Sequence, residues 1–162
     1  MKSLLLISFI LITATAHAAD TTKALLYNPK ADAARDIEQA VAKAKAEKKH
    51  VLIQAGGNWC AWCIRFNNYA TMDKQIDSIL KKNYVVYHLN SSPENENKAI
   101  FKKYDFPQRF GFPVLIILDG DGKRIHTQNS EYLQAVKTYD RNKIVEFLKH
   151  WSPAALDSKS YN

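Results

Sequence analysis

His50-Val51-Leu52-Ile53-Gln54-Ala55-Gly56-Gly57-Asn58-Trp59-Cys60-Ala61-Trp62-Cys63 is the stretch on which the fold turns. Its first four residues form a short apolar run that reads as a buried strand. Gly56-Gly57-Asn58 then breaks the pattern, the punctuation expected of a loop leading from a strand into a helix. On that reading Cys60 stands at the N-terminus of the following helix and Cys63 one turn inside it. These are the only two cysteines in a chain of 162 residues. They therefore build no disulfide-dense scaffold, and they cannot alone fill a four-ligand zinc site.

Upstream of this stretch, Asp32 to Lys49 places Ile37, Val41 and Ala44 at helical spacing among Lys and Glu. Downstream, Asp73 to Lys82 reads as a second helix carrying Ile76, Ile79 and Leu80. Tyr84 to Leu89 reads as a strand, and Pro93 to Tyr104 as a return to helix. Val114 to Leu118 is an unbroken β-rich run. Asp119-Gly120-Asp121-Gly122 turns it into a hairpin with Lys123 to Thr127. Asp140 caps a last helix whose Ile144, Val145, Phe147, Leu148 and Trp151 are expected to face inward. A parallel βαβ half followed by a hairpin and a closing helix makes an α/β sandwich on one mixed sheet. The tail after Pro153 is polar and is expected to fray.

The first residues have a different character. Lys2, the apolar run Leu4 to Ile12 and the small residues of Ala16-His17-Ala18 have the form of a secretory signal peptide, residues 1–18, preceding a single domain at 19–162 with its core at about 31–151. The apolar run is far shorter than the roughly 20 residues a spanning helix needs. Export places the two thiols in an oxidising or actively managed compartment, periplasmic or secreted. The formal charge of +7 is spread: Lys43, Lys45, Lys48 and Lys49 share a helical stretch with Glu38 and Glu47. That distribution reads as solvated surface and not as a nucleic-acid stripe, and it leaves room for acidic protein partners.

Trp59-Cys60-Ala61-Trp62-Cys63 behind a buried strand, with Gly111-Phe112-Pro113 later opening an apolar strand, resembles the thioredoxin superfamily, and within it the exported single-domain bacterial proteins with a Trp-Cys-x-Trp-Cys motif. The resemblance covers roughly Ile37 to Leu148. It implies a three-layer sandwich, a central mixed β-sheet flanked by helices. It also implies a thiol:disulfide oxidoreductase with no cofactor and no metal, whose catalytic and redox-active pair is Cys60 and Cys63. The i, i+3 spacing at a helix start sets one sulfur toward solvent with the other beside it, and the helix N-terminus favours thiolate at Cys60. Cys60 is then the nucleophile and Cys63 the resolving thiol.

The family's proline at the position of Pro113 has a cis peptide bond and faces the disulfide. Carried over, Phe112-Pro113 joins Trp59 and Trp62 as the surface that binds substrate. The implied work is reduction or isomerisation of disulfides in exported proteins, fed by a membrane thiol:disulfide interchange reductase, with no nucleic-acid partner and no membrane insertion after signal cleavage. A general oxidant, a non-catalytic binding module with a redox-sensitive disulfide, and a metal or cofactor carrier are the alternatives. A purely structural disulfide over so short a loop contributes little entropy, His50, His88, His126 and His150 lack ligand spacing, and Ile64 after Cys63 is not the histidine of a haem-attachment motif.

Two departures from the familiar thioredoxins stand out. Ala61-Trp62 replaces Gly-Pro between the cysteines. Gln54 holds the position, six residues before Cys60, where thioredoxins bury an aspartate. An amide does not titrate, so Cys63 must lose its proton by another route. Arg65 is expected to be a solvated helix residue.

Overall fold

A computed structural model describes residues 25–161; the signal-peptide expectation at residues 1–18 lies outside the described residues. Helix α1 (Ala33–Glu47) opens on Asp32, whose carboxylate accepts from the Arg35 amide at 3.2 Å, and closes on Lys48 in the left-handed region with φ 55°. It leads into β1 (His50–Gly56), then α2 (Ala61–Met72) and α3 (Lys74–Asn83). Asp73 ends α2 and caps α3, accepting from the amides of Gln75 and Ile76 at 3.0 Å each. Strand β2 (Tyr84–Asn90) and α4 (Lys98–Lys103) follow. The hairpin β3 (Val114–Leu118) and β4 (Arg124–Asn129) comes next, then α5 (Arg141–His150) and the single turn α6 (Pro153–Leu156).

The four strands lie in the order β2-β1-β3-β4, with β1 parallel to β2 and antiparallel to β3, and β3 antiparallel to β4. All residues of β1 and β3 are buried, because both central strands carry helices on either face. Alternation then divides the core. Val51, Ile53, Ala55, Val114, Ile116 and Leu118 pack against Ile37, Ala40 and Ala44 of α1. Leu52, Leu115 and Ile117 pack on the opposite side with Phe66, Ile76, Ile144 and Leu148. This is the expected α/β three-layer sandwich.

Three local expectations differ from the structure. The helix expected over Pro93 to Tyr104 begins only at Lys98. Asparagine side chains stitch the preceding loop instead: Asn90 Nδ2 donates to Ser92 Oγ (2.9 Å) and the Asn95 carbonyl (3.0 Å), and Asn97 Nδ2 donates to the Asn90 carbonyl (2.8 Å). Short amide side chains compete here with the helical ladder. Strand β4 starts one residue later than expected and runs on two residues further, and its late start follows from Asp119 Oδ1, which accepts from the amides of both Asp121 and Lys123 and keeps Lys123 in the turn. The tail is helical where fraying was expected: Ser152 caps α6, and Tyr161 Oη donates to the Ala155 carbonyl at 2.7 Å.

Candidate active site

Strand β1 ends at Gly56, and the chain turns through Gly57-Asn58-Trp59 to reach the start of α2. Cys60 is the N-cap of α2, and its sulfur accepts from the Cys63 amide at 3.1 Å. The two sulfurs form a disulfide. Cys63 is fully buried and Cys60 keeps 6% of its surface, far less than the exposure expected at Cys60. Cys60 is nonetheless the only member of the pair with any exposed surface.

The residues around it explain the narrowness of that opening. Trp59 is 61% exposed, with its indole N–H donating to the Ser91 carbonyl at 2.7 Å. Its ring meets Phe112 edge-on, and Phe112 in turn packs on Phe101 and against the cysteine pair. The Phe112–Pro113 peptide bond is cis, with Pro113 buried and Phe112 half-buried. A groove of about 360 Å³ runs away from Trp59 and Phe112, lined also by Ser91, Pro93, Phe101 and Gln108. Trp62 is half-buried on the other flank, edge-on to Tyr139 at 5.5 Å, with the Arg65 guanidinium 4.5 Å above its ring. Arg65 also donates to the Lys137 carbonyl, so its charge is engaged away from the sulfurs.

Behind the disulfide lies a buried polar cluster that the sequence did not advertise. Tyr27, wholly buried, arrives from the segment ahead of α1. Asn58 clamps it: Asn58 Oδ1 accepts from the Tyr27 amide (3.1 Å) and Asn58 Nδ2 donates to the Tyr27 carbonyl (2.7 Å). Gln54 Nε2 donates to Tyr27 Oη at 2.6 Å and to the Cys63 carbonyl at 3.0 Å. Burial pushes the Tyr27 phenol well above its ordinary range. His88, the register partner of Gln54 on β2, stands edge-on to Tyr27 at 5.6 Å with its Nε2 unpartnered. Burial lowers its pKa to about 4. The one trace of Tyr27 in the sequence is the short apolar run Leu25-Leu26-Tyr27 before Asn28-Pro29.

A separate apolar cavity of about 200 Å³ lies under α2 and α3 and ends on Gln54 and His88, without reaching either cysteine. Among the described residues, no three His, Cys, Asp or Glu side chains gather as a metal site. No helix among them is long and apolar enough to cross a membrane.

Comparison with known proteins places this geometry. The thioredoxin-like family matches residues 32–120, more than half of the chain. No curated protein matches it in sequence. Among solved structures, the chain is similar to a disulphide isomerase from Xylella fastidiosa Temecula1, at 23% identity and a TM-score of 0.69 over 78% of this chain and 96% of that one. It is similar to the reduced C-terminal domain of DsbD from Neisseria meningitidis, at 21% identity and a TM-score of 0.54 over 77% and 98% of the two chains. A thioredoxin from Thermus thermophilus gives 18% identity and a TM-score of 0.51 over 78% and 85%. At these identities the likeness is one of fold. The family match and the disulfide at the start of α2 together carry the conclusion: the chain belongs to the thioredoxin-like family, as a thiol-disulfide oxidoreductase.

Proposed function

We propose that the protein is exported to the periplasm by its first 18 residues and there reduces or isomerises disulfides of exported proteins, with Cys60 attacking and Cys63 resolving. The observation that carries this reading is the asymmetry of the pair. Cys60 alone keeps exposed surface, at the N-cap of α2, beside the wall that exposed Trp59 and half-buried Phe112 form. The disulphide isomerase and the DsbD domain among the structural neighbours support the choice of reduction and isomerisation.

In the reduced protein the first-turn amides of α2 and the positive end of its dipole favour thiolate at Cys60. That thiolate attacks one sulfur of a partner's disulfide. A Cys60–partner bond forms, the partner's S–S bond breaks, and the electron pair leaves on the partner's other sulfur. Cys63, as thiolate, then attacks Cys60 Sγ. The Cys60–Cys63 bond forms as the Cys60–partner bond breaks, the partner sulfur that Cys60 had attacked departs with the electron pair, both partner sulfurs take protons, and two electrons have passed to the partner. Trp59, Trp62 and Phe112-Pro113 receive the partner's segment. A membrane thiol:disulfide interchange reductase returns the pair to the dithiol.

A Cys63→Ser variant expressed with its leader tests the reading. Exported proteins captured on Cys60, releasable by dithiothreitol, are the expected result, and failure to capture any overturns it. The potential of the Cys60/Cys63 couple tests the direction. A value near about −270 mV is expected of a reductant, and one near about −120 mV makes the protein an oxidant.

A further inference from the structure

The resolving step needs Cys63 as a thiolate in a fully buried position, and the residue six places before Cys60 is an amide that cannot take its proton. Burial without a hydrogen-bond donor would hold the thiol neutral. Something behind the disulfide must favour the charged form for the exchange to proceed, and the polar cluster of Tyr27, Gln54 and Asn58 is what stands there.

The two protons of the Gln54 amide are both engaged, one on the Cys63 carbonyl and one on Tyr27 Oη. The Cys63 carbonyl is an acceptor only, which fixes the Gln54 nitrogen on that side. The same nitrogen faces Tyr27, so the phenol oxygen accepts there and its own proton must point elsewhere. Among the described residues that proton has no acceptor. Gly56 supplies the opening. The point where a Cβ on Gly56 would sit is 2.5 Å from Cys63 Sγ and 2.9 Å from Tyr27 Oη, so sulfur and hydroxyl share the space that the missing side chain leaves.

We infer that the Tyr27 hydroxyl, oriented by Gln54 and held in place by Asn58, is the hydrogen-bond donor that stabilises the Cys63 thiolate once the disulfide opens. The proton Cys63 loses goes to water, and Tyr27 keeps its own. A phenol so deeply buried does not ionise in the working range, which makes it a donor and not a base. The other titratable groups facing the cluster are His88 from β2 and Tyr139 from the loop before α5. Burial holds both neutral near pH 7, with pKa values pushed to about 4 and about 12. Among the described residues no carboxylate hydrogen-bonds to Tyr27, Gln54 or Cys63. Tyr27 thus takes over, by hydrogen bonding, part of what a buried carboxylate does by proton transfer. This assignment rests on the reading of Cys63 as the resolving thiol.

The test is the titration of Cys63 in a Cys60→Ser protein, followed by thiolate absorbance and by the pH dependence of iodoacetamide alkylation. This measurement needs no turnover and is blind to the direction of electron flow, so it separates failure of this inference from failure of the proposed function. Adding Tyr27→Phe, which keeps the ring and removes the hydroxyl, is expected to cut the thiolate fraction about tenfold at any pH below the midpoint, the weight of one hydrogen bond to a charged group. Asn58→Ala, which loosens the clamp without touching the hydroxyl, is expected to shift Cys63 in the same direction by less. In a Cys63→Ser background Tyr27→Phe should leave the Cys60 attack rate unchanged, which a general loosening of the site would not. A Cys63 titration unmoved in the folded Tyr27→Phe protein overturns the inference, as does one unmoved by Asn58→Ala should Tyr27→Phe fail to fold.

Discussion

Trp59 and Phe112 meet edge to face, their ring centroids 5.7 Å apart and their planes at 89°, so that the turn before α2 and the turn before β3 form one apolar wall beside the disulfide. Trp59 contributes the exposed part of that wall and gives the fold little in return. Trp59→Ala should therefore raise KM for a protein disulfide about tenfold, as loss of an aromatic anchor does. Reduction of a small disulfide compound should stay near the wild-type rate. Stability should fall by less than about 1 kcal/mol. A double-mutant cycle with Phe112→Ala checks the pairing, with a coupling of about 1 kcal/mol expected in partner binding.

Gly56 makes the opposite prediction, of a small change with a large cost. An alanine methyl there would stand 2.5 Å from Cys63 Sγ, in a strand buried along its whole length. Neither neighbour is the loose end of a flexible side chain. Gly56→Ala should cost about 2 kcal/mol or more, read as a lower midpoint in urea, and should slow closure of the Cys60–Cys63 disulfide. Wild-type stability in this variant would mean that the sulfur can retreat.

Tyr84 ties β2 to α5 through one buried contact, its hydroxyl donating to the Leu148 carbonyl at 2.7 Å. Tyr84→Phe removes the donor and leaves that carbonyl short of a partner. The expected loss is about 1 kcal/mol in denaturant unfolding. The reduction potential should not change, because no atom of this pair touches the cysteines.

The strand-turn-helix around Cys60 and the buried run Val114 to Leu118 were legible because local signals agree there: apolar runs, a glycine break and a capping position. The disulfide followed from spacing and resemblance; of the aromatics singled out, Trp59 and Phe112 meet each other, while Trp62 packs on Tyr139. The cluster behind the sulfurs was not legible. Tyr27 owes its place to Asn58, thirty-one residues away, and to Gln54, twenty-seven residues away. Neither contact leaves a periodic mark. The loop Pro93 to Asn97 misled for a related reason: its composition suits a first helical turn, while Asn90, outside the window, captures its backbone. Exposure of Cys60 was overestimated because helix geometry sets a sulfur's direction but not how Leu26, Trp62, Ile64 and Phe112 pack around the cysteine pair.

His88 gives a prediction in pH. Burial between Gln54 and Tyr27 lowers its folded-state pKa to about 4, against roughly 6.5 in an unfolded chain. Above pH 6.5 both states hold a neutral ring, and below pH 4 both hold a charged one. Between those limits the unfolded chain binds a proton that folded His88 refuses, so the stability of the fold falls as pH drops through this window. The full effect of such a shift is a few kcal/mol. Replacing the ring by an apolar side chain removes the titration, so His88→Leu should lose less stability than the wild type between pH 6.5 and 4. Urea unfolding of both proteins across that range measures the difference. Parallel curves would show that His88 takes its proton in the folded state as readily as in the unfolded one, and that its orphaned Nε2 is open to water.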